Sequence, residues 1–461
     1  MTTEATNRMA PQATQTAPST GEARAENAAA CPYHQGNPAL LDLADPHFHD
    51  TSLELFAELR AACPVARVTF RRNTPAEGDA QRGPFFRDAF LVTPYAESTA
   101  ALLDERIGVD PLRAMTPEQL AQLPEPPPRA RVFQRNLLGV DPPDHARLRK
   151  LVQPSFTNRQ MEAFRPRIQA IVDHFLDQAE AAAAARGERA PHRTMDLVSE
   201  FAFPVPIQVI CELLGIPAED QDDVKRWFHE LPIGGGAIKS DEVIETTFRE
   251  FVAYLEALFE RRRREPSTDL ISDLVHAEEE GDRLDGEELI SMVFILLAAG
   301  HVTTVNLIAS GMLALLTHPS ELAKVRANPA LMKNGVEEIL RYWGPLDTTL
   351  PRFATEDLAV GGVEILRGET ILIGLSSSNH DPQRFAQPEV FDITREDANR
   401  HVAFGKGIHV CLGAPLARME GDIALTTLLA RYPELRLAVP AEEIRWKPGF
   451  LRALEALPLS F

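Results

Sequence analysis

Phe404-Gly405-Lys406-Gly407-Ile408-His409-Val410-Cys411-Leu412-Gly413-Ala414-Pro415 puts one cysteine on a glycine-hinged loop, just ahead of a helix that opens at Pro415. Gly405, Gly407 and Gly413 remove side chains where a backbone turns tightly or approaches a flat ligand. Proline suits the first helical turn, where its missing N–H costs nothing. The amides that start such a helix carry partial positive charge, so Cys411 is expected to be held toward thiolate. A small buried thiol in a glycine-rich turn is the plain structural alternative. Structural zinc fails on spacing, because it needs four ligands in paired clusters and His409, Cys411 and distant His401 do not supply them. A phosphate loop fails too, since Gly405-Lys406-Gly407 lacks the Gly-Lys-Ser/Thr ending.

The loop resembles the haem-binding signature of the cytochrome P-450 superfamily, whose fixed positions are filled here by Phe404, Gly405, Gly407, His409, Cys411 and Gly413. That resemblance implies haem b with Cys411 as axial thiolate, a ligand that pushes electron density onto iron and favours O–O cleavage.

One helix stands out upstream. Asp285 can cap its start, with Glu288 three residues on as in a capping box, and Pro319 stops it. About thirty residues at 1.5 Å each make a rod of roughly 45 Å. From Leu289 to Leu316 it is apolar on nearly all sides, which predicts burial through the middle of a large domain. A membrane span would need ~20 unbroken apolar residues, and His301, Thr303, Thr304 and Asn306 interrupt the run. Small Ala299 and Gly300 leave room for something flat to lie against the helix. A threonine here can simply bond its own i−4 carbonyl. Ala299-Gly300-His301-Val302-Thr303-Thr304 nevertheless resembles the family's central-helix signature, which implies that Thr303 organises proton delivery beside the oxygen site. The chain departs from that signature at Val302, where the family usually has Asp or Glu. Valine cannot relay protons, so a water chain, His301 or a substrate hydroxyl is expected to replace the acid.

Glu338 and Arg341 face each other at i and i+3 on a helix and resemble the family's Glu-x-x-Arg motif, which implies a structural ion pair behind the cysteine side of the haem. Asp141-Pro142-Pro143-Asp144-His145-Ala146-Arg147-Leu148-Arg149 is similar to a family helix start that aims His145 and Arg149 at a haem propionate. By the same resemblance Arg352 and His409 are further propionate contacts, and Ala299, Phe404, Gly405 and Gly413 lie against the cofactor. Arg147, Lys150 and Arg159 form a local basic patch, which reads equally as a solvated face or as the family's docking surface for a ferredoxin or flavodoxin. In Asn379-His380-Asp381-Pro382 the family usually has Arg where His380 stands.

At 461 residues, 44% hydrophobic and 25% charged, the chain can bury a sizeable core. Its net charge of −20 argues against general affinity for nucleic acid or anionic membrane. Cys31, Cys63, Cys211 and Cys411 show no pairing rhythm, which predicts a reducing compartment without a disulfide framework. Residues 1 to 36 lack an apolar core and are expected to form a disordered tail without signal peptide or membrane anchor, Cys31 and His34 having no role. Helical patterns dominate, with strand-like runs at Arg67–Phe70, Phe90–Val92, Leu358–Leu366 and Thr370–Gly374; Pro124–Pro128 and Gly234–Gly236 mark loops. The expected fold is mainly α with a small β-sheet region, a single large domain over residues 37–461 of the cytochrome P-450 type.

The resemblance implies a soluble, bacterial-type, cytoplasmic monooxygenase of secondary metabolism. It would insert one oxygen atom from O2 into a hydrophobic small molecule, by hydroxylation or epoxidation. Electrons would come from NAD(P)H through ferredoxin or flavodoxin and its reductase. Val302 keeps a second reading open, a haem-thiolate peroxygenase, isomerase or dehydratase. A silent auxiliary protein of the same fold is the third. Substrate-recognition segments map to Ala114–Leu138, Gly234–Ala237, Leu296–Gly300, Leu346–Leu350 and around Leu451. Leu296, Gly300, Leu346, Leu350 and Leu451 suggest a greasy pocket for a terpene, acyl chain, steroid or macrolide, with Thr348 or Thr349 placing a hydrogen bond.

Overall fold

The capping box forms as the residues dictate. Asp285 Oδ1 accepts from the Glu288 amide at 2.8 Å, and Glu288 Oε2 accepts from the Asp285 amide at 3.1 Å. From this start the central helix runs Gly286–Thr317, 32 residues, and ends ahead of Pro319. The computed structural model describes residues 31–33, 38–71, 88–121, 135–190, 192–231, 240–277 and 284–461. Within them the chain is mostly helical, as its composition and periodicity predict. The chain before residue 31, His34, the proline run at 124–128 and the glycine run at 234–236 lie outside the described residues.

The central helix is long and apolar enough to cross a membrane, yet most of it is buried by other parts of the same chain. Its first half, Leu289 to Ala298, packs with Trp227, Phe228 and Phe251. Its second half, Val305 to Leu315, packs with Ile339, Leu425 and Leu428. Each fully buried aliphatic side chain contributes roughly 1.5–3 kcal/mol, so this helix anchors both clusters. One stripe escapes cover. Ile295, Val302 and Thr303 are only partly covered and Ala299 is exposed. These residues recur at helical spacing and share one face.

A six-stranded sheet flanks the helices, in the order Ala39–Asp42, Val65–Arg71, Asp88–Val92, Thr370–Ile373, Arg352–Ala354 and Ile107–Gly108. Phe90 and Arg352 both pair with Ile371, from opposite sides of one strand. The run Leu358–Leu366 forms a hairpin, Leu358–Val360 against Val363–Ile365. All the strand-like runs of the sequence thus become strands. The short Arg352–Ala354 strand matters most, because the sheet holds Arg352 in the interior.

The cysteines correct one expectation. Cys31 and Cys63 form a disulfide, with Cα atoms 5.5 Å apart. Both are buried in a cluster with Leu41, Phe48, Phe56 and Leu59. Cys31 therefore has a structural role and already packs ahead of the expected boundary at residue 37. A pairing across 32 residues leaves no local pattern to read.

Candidate active site

The cysteine loop is shaped by two glycines in the left-handed region, Gly405 at φ +67° and Gly407 at φ +74°. A Cβ on Gly407 would also lie 2.7 Å from the Leu102 carbonyl oxygen, so no other residue fits there without movement. Gly413 differs. Its φ is ordinary, and a Cβ built on it would meet no protein atom within 4 Å. Its open side is a cradle for a flat group rather than a requirement of the backbone.

Three contacts brace the loop. The Cys411 amide donates to the Phe404 carbonyl at 2.9 Å. Arg149 donates through Nη1 to the carbonyls of Ile408 and Val410, at 3.2 and 2.8 Å. The Arg418 guanidinium lies 4.5 Å from the Phe404 ring centre, a cation–π contact. Glu337 holds Arg418 with two hydrogen bonds of 2.6 and 3.0 Å and also meets His401 Nε2 at 3.1 Å.

Cys411 opens the helix Ala414–Arg431 and, unlike buried Cys211, is exposed to solvent. The amides of Gly413 and Ala414, with Arg149 and Arg418, pull its pKa down as expected, yet burial of the surrounding site outweighs them and leaves it raised. The helix start thus favours the thiolate in the expected direction, and desolvation sets the net direction. Coordination to a metal deprotonates a thiol outright and supplies what the helix start lacks. Burial with far less compensation pushes the Cys211 thiol up to about 12.

Above the loop, two histidines and an arginine offer nitrogens with no hydrogen-bond partner among the described residues. His145 Nε2, Arg352 Nε and His409 Nε2 are all buried in this state. The His145 and His409 rings are 4.3 Å apart, and His409 Nε2 stands 3.8 Å from Asp141 Oδ1, too far for a hydrogen bond. Burial first, then the charges of His409 and Arg149, lower the His145 pKa to about 4. Buried donors left unmatched are costly, so this cluster fits an anionic group such as the carboxylates of a haem. With the Gly413 cradle and the uncovered stripe of the central helix, the residues present fit that cofactor. Asp141, which was quoted in the motif without a role, accepts from the amides of Val109 and Asp110.

Four expectations change. Arg149 faces the loop carbonyls through Nη1 and braces the cysteine loop, whereas His145, Arg352 and His409 keep buried nitrogens without a hydrogen-bond partner among the described residues. Gly300 does not face a flat ligand, because its missing Cβ would lie 3.3 Å from Ile210 Cδ1 on the helix Pro204–Leu214. Its missing side chain serves helix packing instead. His301 points away from Thr303 and hydrogen-bonds the Phe203 carbonyl at 3.1 Å through Nε2. Its pKa is lowered to about 4 by burial, so it is no substitute for an acid at Val302. Arg147 is paired with Glu288 and removed from the basic patch.

Thr303 Oγ1 donates to the Ala299 carbonyl at 2.7 Å, and Thr304 repeats the pattern to Gly300 at 3.1 Å. The i−4 bond that sequence reading set against a functional role is therefore present. It directs the remaining lone pairs of Oγ1 outward along the uncovered stripe.

Glu338 and Arg341 are fully buried and pair through two bonds of 2.7 and 2.8 Å. Arg341 also donates to the carbonyls of Asn379, Pro388 and Val390. Arg395, which sequence reading missed, adds a third member at 3.2 Å from Glu338 Oε1. His380 is buried and bonds the Ser376 carbonyl through Nδ1.

Of the expected substrate contacts, Leu346 and Leu451 meet in an antiparallel bridge, which brings two distant segments together. Leu350 is 47% exposed beside Arg352, and Leu296 is buried at the edge of the stripe. Thr348 lines an apolar cleft with Leu41, Phe56 and Phe450. Thr349 Oγ1 accepts from the Ile373 amide and so holds the sheet.

Comparison with known proteins agrees with this geometry. A family model described as Cytochrome P450 matches residues 237–438. The chain is 40% identical over 423 residues to 6-deoxyerythronolide B hydroxylase of Saccharopolyspora erythraea, covering 91% of this chain and 98% of that one. It is 39% identical over 421 residues to Vitamin D(3) 25-hydroxylase of Pseudonocardia autotrophica, covering 91% and 96%. Among solved structures it is similar to cytochrome P450 PksS of the Bacillus subtilis 168 bacillaene polyketide synthase, with TM-score 0.77, 38% identity, and coverage of 90% and 99%.

Proposed function

The chain belongs to the cytochrome P450 family, a haem-thiolate oxidoreductase family, and from that premise we propose that it is a monooxygenase inserting one oxygen atom into an apolar secondary metabolite. The observation that carries this reading is the set of buried, unmatched nitrogens of His145, Arg352 and His409, together with Cys411 in a loop whose Gly413 leaves room for a flat group. Haem bound through Cys411 would supply dioxygen activation and the oxidising power. His145, Arg352 and His409 would hold its carboxylates. Ala299 lets it approach the central helix, and Leu296, Leu346, Leu350 and Leu451 exclude water and orient an apolar substrate. Thr303, its own proton donated to the Ala299 carbonyl, would accept a hydrogen bond at Oγ1 from a water beside the oxygen site. Electrons would come from NAD(P)H by way of a ferredoxin or flavodoxin and its reductase.

The substrate reading leans on the apolar lining and on the names of relatives, which range from a deoxyerythronolide to vitamin D(3). A molecule of that size, with few polar groups, matches a wall of leucines. Turnover under isotopically labelled dioxygen, with competent redox partners, tests the reaction. Label in the product supports it, and product that carries none refutes it. Val302 favours a second reading, peroxygenase activity, because an enzyme driven by hydrogen peroxide needs no acid to protonate dioxygen. Better turnover with peroxide than with redox partners would establish that reading.

A further inference from the structure

Behind the expected substrate wall lies a buried polar hub that no catalytic role uses. Arg452 is 2% exposed and reaches two distant parts of the chain. Its Nη1 donates to the His49 carbonyl at 3.1 Å, and its Nη2 donates to Ser52 Oγ at 2.7 Å and to Asp347 Oδ1 at 3.2 Å. Asp347 in turn meets His49 Nδ1 at 2.9 Å and accepts from Ser376 Oγ at 2.6 Å. The Arg452 guanidinium also sits 5.3 Å from the Trp446 ring. Burial alone would raise the Asp347 pKa, but Arg452 and His49 hold it well below the usual carboxylate range.

The position of this hub gives it meaning. Asp347 follows Leu346, and Arg452 follows Leu451. Those two leucines form the antiparallel bridge, and the Arg452 amide donates to the Pro345 carbonyl at 3.0 Å. Successive side chains in extended backbone point to opposite faces. The bridge therefore carries leucines toward one side and the ion pair toward the other. The fold fastens this back face to the helix Phe48–Ala62 through His49 and Ser52, and to the segment after Thr370–Ile373 through Ser376.

We propose that Asp347 and Arg452 are positioning residues for substrate specificity, a rigid backing that fixes where Leu346 and Leu451 stand in the pocket. The inference rests on the haem-thiolate reading and names what sets the shape of its site. A misplacement of about 1 Å in what positions a substrate can cost about 100-fold in rate, and a ligand that fills the pocket meets the same displaced wall. A ligand too small to reach the wall does not feel it.

The test compares two probes on the haem-loaded protein by their Soret shifts. Imidazole is small, while 4-phenylimidazole projects a ring toward the walls. Arg452→Met should bind imidazole within about twofold of wild type and 4-phenylimidazole at least about tenfold more weakly, with Arg452→Lys recovering part of the difference. Ser376→Ala keeps the ion pair and should shift the same probe in the same direction, by less. If Arg452→Met does not retain haem, Ser376→Ala decides alone. Equal shifts for both probes, or none for either, would overturn the proposal, since general loosening moves them together. The reduced protein with carbon monoxide is measured first. Absence of the long-wavelength thiolate band overturns the haem reading and the hub with it. A normal band without a split between probes overturns the hub alone.

Discussion

The two sides of the candidate cofactor site are built on opposite rules. Behind the cysteine loop, the supporting polar groups are matched many times over: Arg341 reaches Glu338 and three carbonyls, Arg149 reaches two, and Glu337 holds both Arg418 and His401. On the central-helix side, the uncovered stripe carries Ile295, Ala299 and Val302, with one hydroxyl, Thr303, already tied to its own helix. The contrast separates two demands. A metal ligand must stay in one place whatever the substrate, so its support is over-determined. A pocket that selects among apolar molecules needs shape, and shape follows from which aliphatic side chains stand where.

Substitutions can break this contrast at different depths. Cys411→Ala should abolish the long-wavelength carbon monoxide band altogether, and its survival would sink the assignment of the axial ligand. Next comes Glu338→Gln, which leaves Arg341 buried without its anion. Removing one partner of a buried pair costs about 3–5 kcal/mol, so denaturant melts should show a loss of that order. A loss below about 1 kcal/mol would make the pair ornamental. Gly407→Ala forces a side chain into left-handed backbone against the Leu102 carbonyl, at a cost of about 1–3 kcal/mol. The far side should behave otherwise. Thr303→Val should leave the melt within about 1 kcal/mol, since its hydroxyl bond is local to the helix. It should instead divert NAD(P)H consumption from product to peroxide. Val302→Asp sharpens the comparison most finely. An acid at this position should raise product per NAD(P)H several-fold under redox-partner turnover, with no gain under peroxide. Equal gains in both assays would argue against proton supply as the difference.

Much of this was legible along the chain, and the part that was not has a common cause. The cysteine loop, the Asp285–Glu288 box and the Glu338–Arg341 pair are written within a dozen residues, where periodicity and capping rules apply. The disulfide, Arg395 on Glu338, Arg149 on the loop carbonyls and the Asp347–Arg452 hub join residues far apart in sequence. No local pattern encodes such meetings. Gly300 and His301 show a subtler limit. The motif placed both beside the site, but the helix turns 100° per residue, which buries His301 and aims the missing side chain of Gly300 at Ile210 while Ala299, Val302 and Thr303 stay less covered. Adjacency in sequence is not adjacency in a helix. The raised pKa of Cys411 carries the same lesson for energetics, because the depth of protein around a thiol cannot be read from the residues beside it.

The Cys31–Cys63 bond alters how the molecule bears load. Ala39–Asp42 lies parallel to Val65–Arg71 at the edge of the large sheet, the position from which a strand peels most easily. Tension entering the chain ahead of Cys31 passes through sulfur directly to Cys63, two residues before the second strand begins. The edge strand and the helix Phe48–Ala62 sit inside the covalent ring and are bypassed. Pulled from that end, the protein should resist as a sheet and not unzip strand by strand; under a reductant the same pull should peel the edge first.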